Sequence, residues 1–235
     1  MDRKNIVIAT IKSWNIALAQ EFKEQYKNDY NVFIITDKSE LTYDLLGEIK
    51  PVYVFFPHWS WIISSDICEN FECIVFHPTD LPYGRGGSPI QNLIVNKQYE
   101  TKVSVIKADK GIDSGLIYFK EPFYLGTGNV EELLKMYART IFYKLIPKFL
   151  AEKPIPIEQS GEVVKFVRRK PSESRISEER LINLNDFYDH IRMLDGEGYP
   201  KAFIQLGNFK ILFSGVHKSS GELKGIFEIK EEKLG

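Results

Sequence analysis

Cysteine is scarce in this chain: Cys68 and Cys73 are its only two. Two thiols exclude a disulfide framework and a four-thiolate zinc site, and both read as reduced structural thiols. The four histidines, His58, His77, His190 and His217, form no His-Glu-x-x-His or other close ligand pair, so no metal is expected. No apolar run reaches the ~18 residues needed to span a bilayer, so no membrane partner is expected. An excess of one charge is missing too. Lys plus Arg total 31 against 32 for Asp plus Glu, a net charge of −1. That argues against a chain whose main affinity comes from covering nucleic-acid phosphates. Met1-Asp2-Arg3-Lys4-Asn5 leads into a short apolar run without the h-region of a signal peptide, so a cytoplasmic location is expected. There is no internal repeat or low-complexity segment.

What is present is a globular balance: 43% apolar and 27% charged residues in 235. That length suits one domain, or one with a small appendage. Lys4 to Thr10, Asn31 to Thr36, Pro51 to Phe56 and Cys73 to His77 read as buried strands. Helical patterns separate them from Ser13 to Lys27 and from Leu41 to Ile49. Continuous apolar strands alternating with helices predict an α/β fold, a mostly parallel Rossmann-like sheet with helices on both faces. Thr101 to Ala108 and Leu116 to Phe119 read as further strands. Val130 to Leu150 reads as a long amphipathic helix that Pro147 bends or shortens. Pro154, Pro156, Ser160 and Gly161 then punctuate a linker. Residues 1–160 are therefore expected as the main domain, and 161–235 as a small β-rich, OB-like subdomain with one helix near 182–193.

Ligands of such sheets bind beyond the carboxyl ends of the strands. His77 ends the fourth strand, and the third runs into Pro57-His58-Trp59-Ser60-Trp61-Ile62-Ile63. After His77 comes Pro78-Thr79-Asp80-Leu81-Pro82-Tyr83-Gly84-Arg85-Gly86-Gly87-Ser88-Pro89-Ile90-Gln91. Its prolines stiffen the path and its glycines allow close approach. Ser88 and Pro89 read as a helix cap followed by proline at the first helical position. Free amides there, with Arg85 beside them, suit an anionic group. The alternative is a rigid strand-to-helix connection. The spacing matches neither a P-loop nor a dinucleotide fingerprint.

A second segment, Lys107-Ala108-Asp109-Lys110-Gly111-Ile112-Asp113-Ser114-Gly115, links two strands. By itself it reads as an acidic, glycine-rich turn. With His77 it offers a carboxylate and an imidazole on neighbouring strand ends, the pairing needed by a general base or oxyanion stabiliser.

These residues resemble the folate-dependent formyltransferases, a group that includes methionyl-tRNA formyltransferase, glycinamide ribonucleotide transformylase and sugar N-formyltransferases. His77-Pro78, Leu81-Pro82, Arg85-Gly86 and Pro89-Ile90 match the loop after the family's catalytic histidine. Asp113-Ser114-Gly115 matches its Asp-x-Gly. Arg168-Arg169-Lys170-Pro171, Tyr188-Asp189-His190-Ile191-Arg192 and Tyr199-Pro200-Lys201-Ala202-Phe203 resemble landmarks of its small β subdomain.

The resemblance implies 10-formyltetrahydrofolate as formyl donor, no metal, and His77 and Asp113 as catalytic residues. It implies that Trp61, Ile62 and Ile63, with the Lys110, Gly111, Ile112 and Asp113 turn, hold the pterin. Val75 stands where the family's asparagine is found, two positions before His77. Thr79 and Asn92 are the candidate substitutes for it. The loop variant is similar to formyltransferases of pseudaminic-acid-type pathways. This implies a nucleotide-linked aminosugar acceptor, a UDP-linked 4-amino-4,6-dideoxy sugar of surface glycan biosynthesis. Asp80, Arg85, Gly86 and Gly87 would contact it, and Trp14 and Asn15 line its site or pack the helix start. The near-zero charge and short C-terminal part disfavour tRNA. Methionyl-tRNA formyltransferase and a noncatalytic folate-binding module are the alternatives, and a homodimer is compatible with such an appendage. His58 is expected to be structural, and His190 and His217 to decorate the surface.

Overall fold

The computed structural model describes residues 3–177 and 182–232. They divide into two compact units. The first comprises Met1–Arg85, Thr101–Phe123 and Lys135–Lys165; the second comprises Gly86–Glu100, Tyr124–Leu134 and Phe166–Gly235.

The first unit is built on β1 (Lys4–Ala9), β2 (Tyr30–Ile35), β3 (Tyr53–Phe56) and β4 (Cys73–His77), with α1 (Ser13–Gln25), α2 (Tyr43–Ile49) and α3 (Ser65–Asn70) between them. Strands β6 (Glu100–Lys107) and β7 (Ile117–Tyr124) complete a six-stranded sheet in the order β2-β1-β3-β4-β6-β7. The first four strands are parallel, whereas β6 runs antiparallel to β4 and pairs Ser104 with His77. Ile6, Val7, Ile8 and Ala9 are all 0% exposed, so both sheet faces are covered, as their unbroken apolar run predicts. On one face Val7, Ala9, Val54, Phe56 and Cys73 pack with Leu46 of α2 and Ile67 of α3. On the other, Tyr53 and Phe55 meet the Phe149 ring edge-on at 5.1 and 5.5 Å.

The predicted long helix is interrupted. It runs as α5 (Val130–Thr140), a wide π turn over Ile141–Leu145, and α6 (Ile146–Glu152). Pro147 has no N–H and would strike the carbonyl one turn back; a wider turn just before it relieves both problems. The strand expected to end at Phe119 continues to Tyr124. Its Pro122 is tolerated because β7 lies at the sheet edge.

One strand, β5 (Tyr83–Gly86), arises inside the glycine-rich segment, where the sequence reads as loop. Its partner is β8 (Val164–Phe166), in the stretch expected to be β-rich. In the second unit lie α4 (Pro89–Val95), α7 (Leu184–Arg192), β9 (Ala202–Leu206), β10 (Phe209–Ser219) and β11 (Glu222–Glu231). The last three form an antiparallel sheet, β11-β10-β9. This is a long hairpin with one added strand among the described residues, not the five-stranded barrel that an OB-like reading implies.

His190 corrects another expectation: it is 7% exposed and its Nε2 lies 3.1 Å from the Ser174 carbonyl. His217 is exposed as expected. Cys68 and Cys73 are buried and free. No helix of the described residues is long and apolar enough to cross a membrane. No group of three or more metal-ligating side chains occurs among them.

Candidate functional site

His77 ends β4 and is 6% exposed. The chain turns back through Leu81-Pro82 into β5, which sets the Gly84 carbonyl 2.9 Å from His77 Nε2. A carbonyl only accepts, so Nε2 carries the hydrogen. His77 Nδ1 lies 3.4 Å from Asp113 Oδ1. Asp113 has φ 52°, a left-handed conformation that aspartate tolerates better than most residues.

The Asp113 turn is shaped locally. Asp109 Oδ1 accepts from the Gly111 N–H at 3.0 Å and the Ser114 hydroxyl at 2.8 Å. A Cβ on Gly115 would fall 1.7 Å from the Lys107 carbonyl, so only glycine fits there. Beneath β4, the Tyr137 hydroxyl donates to the Phe76 carbonyl at 2.6 Å. Burial, and then the Asp113 charge, push its pKa well above the ordinary tyrosine value, so this hydroxyl keeps its proton. Periodicity placed Tyr137 in the apolar stripe and missed this polar tie.

Val75 is half-buried. It pairs with Phe56 and Ile106 across the sheet and packs against the cluster of Leu81, Ile106 and Ile117. Neither candidate substitute for it is uncommitted. Thr79 is 0% exposed, and its hydroxyl donates to the Gly84 carbonyl at 3.5 Å. Asn92 donates through Nδ2 to the Gly87 and Val167 carbonyls at 2.9 and 3.0 Å.

The segments expected to hold a pterin rest on one support. Trp59, Ile63 and Ala108 pack on the same core cluster, together with Val75. Above it, Trp61 is 39%, Ile62 83% and Ile112 64% exposed. Trp59 braces Trp61 edge-on at 4.9 Å. Lys110 is tied to Glu69 at 2.5 Å. Exposed apolar side chains beside a hydrogen-bonding turn fit a flat heterocycle with polar edges.

The residues expected at the acceptor have different surroundings. Asp80 pairs with Lys120 at 2.5 Å and Lys102 at 2.9 Å. Burial raises its pKa, but the two ammonium groups outweigh that and hold it below the ordinary carboxylate range. Arg85 donates from Nε and Nη2 to Gln159 Oε1 at 3.1 and 2.8 Å. A Cβ on Gly86 would meet the Phe166 carbonyl at 2.3 Å, and one on Gly87 would meet Arg168 Cβ at 2.7 Å. Close packing therefore already demands both glycines.

The expected helix cap did not form. Ser88 has φ 50° and makes no side-chain cap; its hydroxyl accepts from the Arg169 N–H at 3.1 Å. Helix α4 is also a short seven-residue element.

At the ends of β1 and β3, the Thr10 hydroxyl donates to the Pro57 carbonyl at 2.5 Å. Asn15 is 1% exposed, and neither polar atom of its amide has a partner among the described residues. The indole N–H groups of Trp14 and Trp59 are likewise buried without one. Burial, and then the nearby Lys12 charge, push the His58 pKa down to about 4. His58 is thus neutral near pH 7, as a structural histidine should be.

Residues 171–230 match the family model described as methionyl-tRNA formyltransferase, C-terminal domain. A solved methionyl-tRNA formyltransferase from Clostridium thermocellum is 50% identical, with a TM-score of 0.93, covering 97% of this chain and 99% of that one. Methionyl-tRNA formyltransferase of Rickettsia felis is 28% identical over 142 residues, 59% of this chain and 47% of that protein. The chain thus spans about half the length of the curated relatives it matches. A 4-N formyltransferase from Francisella tularensis shares the fold, with 18% identity and a TM-score of 0.68 over 98% of this chain and 99% of that one.

Proposed function

The chain belongs to the folate-dependent formyltransferase family, and from that premise we propose that it transfers a formyl group from 10-formyltetrahydrofolate to a primary amine. The observation that carries this reading is the His77–Asp113 contact at the carboxyl end of β4. When bound, 10-formyltetrahydrofolate supplies an activated formyl carbon. Trp61, Ile62 and Ile63 pack on its pterin, and the backbone of Lys110, Gly111, Ile112 and Asp113 meets the polar ring edge.

His77 stabilises the negative charge that develops on the formyl oxygen. That oxygen competes with the Gly84 carbonyl for the Nε2 hydrogen. Asp113 fixes the ring from the Nδ1 side; the proton lost by the attacking amine is taken up between His77 Nδ1 and Asp113 Oδ1 and passes to the folate nitrogen as its bond to the formyl carbon breaks. Val75 donates nothing, so backbone amides and His77 carry the oxyanion.

For the acceptor, we propose the α-amine of methionyl-tRNA. The supporting observations are the 50% identical structure bearing that name and the match over residues 171–230. They outweigh the charge argument against tRNA. A nucleotide-linked aminosugar is the second reading, favoured by the net charge of −1. In that case Asp80 and Arg85, with Trp14 and Asn15, are the side chains proposed to contact it.

The test is turnover with 10-formyltetrahydrofolate and initiator methionyl-tRNA, beside a panel of UDP- and dTDP-linked aminosugars, with products read by mass spectrometry. Formylated methionyl-tRNA, with salt-sensitive binding, is the expected result. His77→Ala and Asp113→Ala should each lower turnover by about 10²–10⁴-fold. A formylated sugar alone would select the second reading. Folate binding with no product from any acceptor would leave a noncatalytic module.

A further inference from the structure

The proline-punctuated segment after α6 does more than connect. Ile157 exchanges two backbone hydrogen bonds with Ile117, at 2.8 and 2.9 Å. The Val164 N–H donates to the Pro82 carbonyl at 3.3 Å. The segment is therefore a strap across the loops that carry His77 and Asp113, and Gln159 lies half-buried within it.

We infer that Gln159 is a positioning residue that holds the His77 and Asp113 loops in register, an inference that rests on the formyl transfer proposed above. All four hydrogen-bonding positions of its amide are used. Oε1 accepts from Arg85 Nε and Nη2. Nε2 donates to the Asp113 carbonyl at 2.9 Å and the Gly115 carbonyl at 2.8 Å. The partners fix the amide's orientation, because a guanidinium only donates and a carbonyl only accepts.

These bonds close a ring. Asp113 Oδ1 faces His77 Nδ1, His77 Nε2 faces the Gly84 carbonyl, and Gly84 is bonded to Arg85. Arg85 reaches Gln159, which returns to the Asp113 backbone. One neutral amide thus braces both loops that set the imidazole–carboxylate distance. Glutamate has the length and accepts from Arg85, but it cannot donate to either carbonyl. Leucine does neither.

The experiment uses the full chain with Gln159→Leu, Gln159→Glu and Asp113→Asn. A displacement of about 1 Å at reacting groups can cost about 10²-fold. Loss of that order in kcat is expected for both Gln159 variants, with the fold retained by circular dichroism. In the Asp113→Asn background, Gln159→Leu should cause no further loss, because its action runs through Asp113. Unchanged kcat in Gln159→Leu, full activity in Gln159→Glu, or an equal further loss in the Asp113→Asn background would each overturn the inference.

A second readout is independent of turnover. The His77 ring ¹⁵N resonances should shift in the same direction in Gln159→Leu as in Asp113→Asn. If the parent chain transfers no formyl group, the proposed function fails and this readout alone decides. Unmoved His77 resonances in Gln159→Leu would then overturn the positioning role.

Discussion

His58 shows how one side chain can make the protein's stability depend on pH. Its pKa in the folded chain is about 4, against an ordinary value of 6.5. Between those values the unfolded chain binds a proton that the folded chain refuses, so stability falls as pH drops through this window. The shift corresponds to about 3 kcal/mol, at roughly 1.4 kcal/mol per unit. His58 has φ 58°, and asparagine tolerates that left-handed conformation. His58→Asn should therefore fold and lose about 3 kcal/mol less stability than the parent between pH 7 and pH 4. Urea denaturation across that range measures it; parallel curves for the two proteins would refute the assignment. The residues proposed for the site differ in how legible they are. His77 and Asp113 could be found because a histidine at a strand end and an acidic turn carry local signals. Gln159 could not, because glutamine in a proline-rich connector has no pattern, and its four hydrogen bonds go to three residues in two distant segments.

Among elements, α7 shows a sequence landmark with a structural job. Asp189 and Arg192 are 5% and 1% exposed, and they pair at 2.8 Å one turn apart. Asp189 Oδ2 also takes the Lys97 ammonium at 2.9 Å and the Tyr99 hydroxyl at 2.6 Å. Arg192 donates to the Gly128 carbonyl at 3.0 Å and lies over the Tyr99 and Tyr188 rings. Breaking a buried pair from one side leaves an uncompensated charge and costs about 3–5 kcal/mol. Asp189→Ala should cost that much, and Asp189→Ala with Arg192→Met should cost less than the single change. Guanidinium titration compares them. A single-mutant cost near zero would mean that the pair contributes nothing. The helix was expected near 182–193, whereas its Asn183 cap, accepting from Asn185 and Asp186, is a finding of the structure. By contrast β5 was hidden, since Tyr83-Gly84-Arg85-Gly86 has no strand propensity and is extended by its pairing with β8. The Ser88 cap failed for a similar reason: a bond to Arg169 outcompeted the local one.

At the scale of the whole molecule, the parallel sheet was legible because four apolar runs alternate with helices. The second unit was not, since its segments come from three stretches of chain and its hairpin lacks strict alternation. That hairpin leaves β11 at a sheet edge with Ile226 66%, Phe227 65% and Ile229 56% exposed. The unpaired backbone groups of an edge strand are a template for another strand. The sequence of β11 says which strand fits. Laid antiparallel on a second copy about Ile226, Glu222 faces Lys230, Lys224 faces Glu228 and Leu223 faces Ile229. Each such cross-strand pair would contribute about 0.2–1 kcal/mol, and the same surface on both copies would close a two-fold dimer. Light scattering after gel filtration should give twice the chain mass. Lys224→Glu should shift the equilibrium toward monomer by setting like charges opposite. Adding Glu228→Lys should restore the dimer, since the reversed pair is complementary again. A parent chain that stays monomeric at high concentration refutes this pairing. A dimer indifferent to Lys224→Glu would place the contact elsewhere on the molecule.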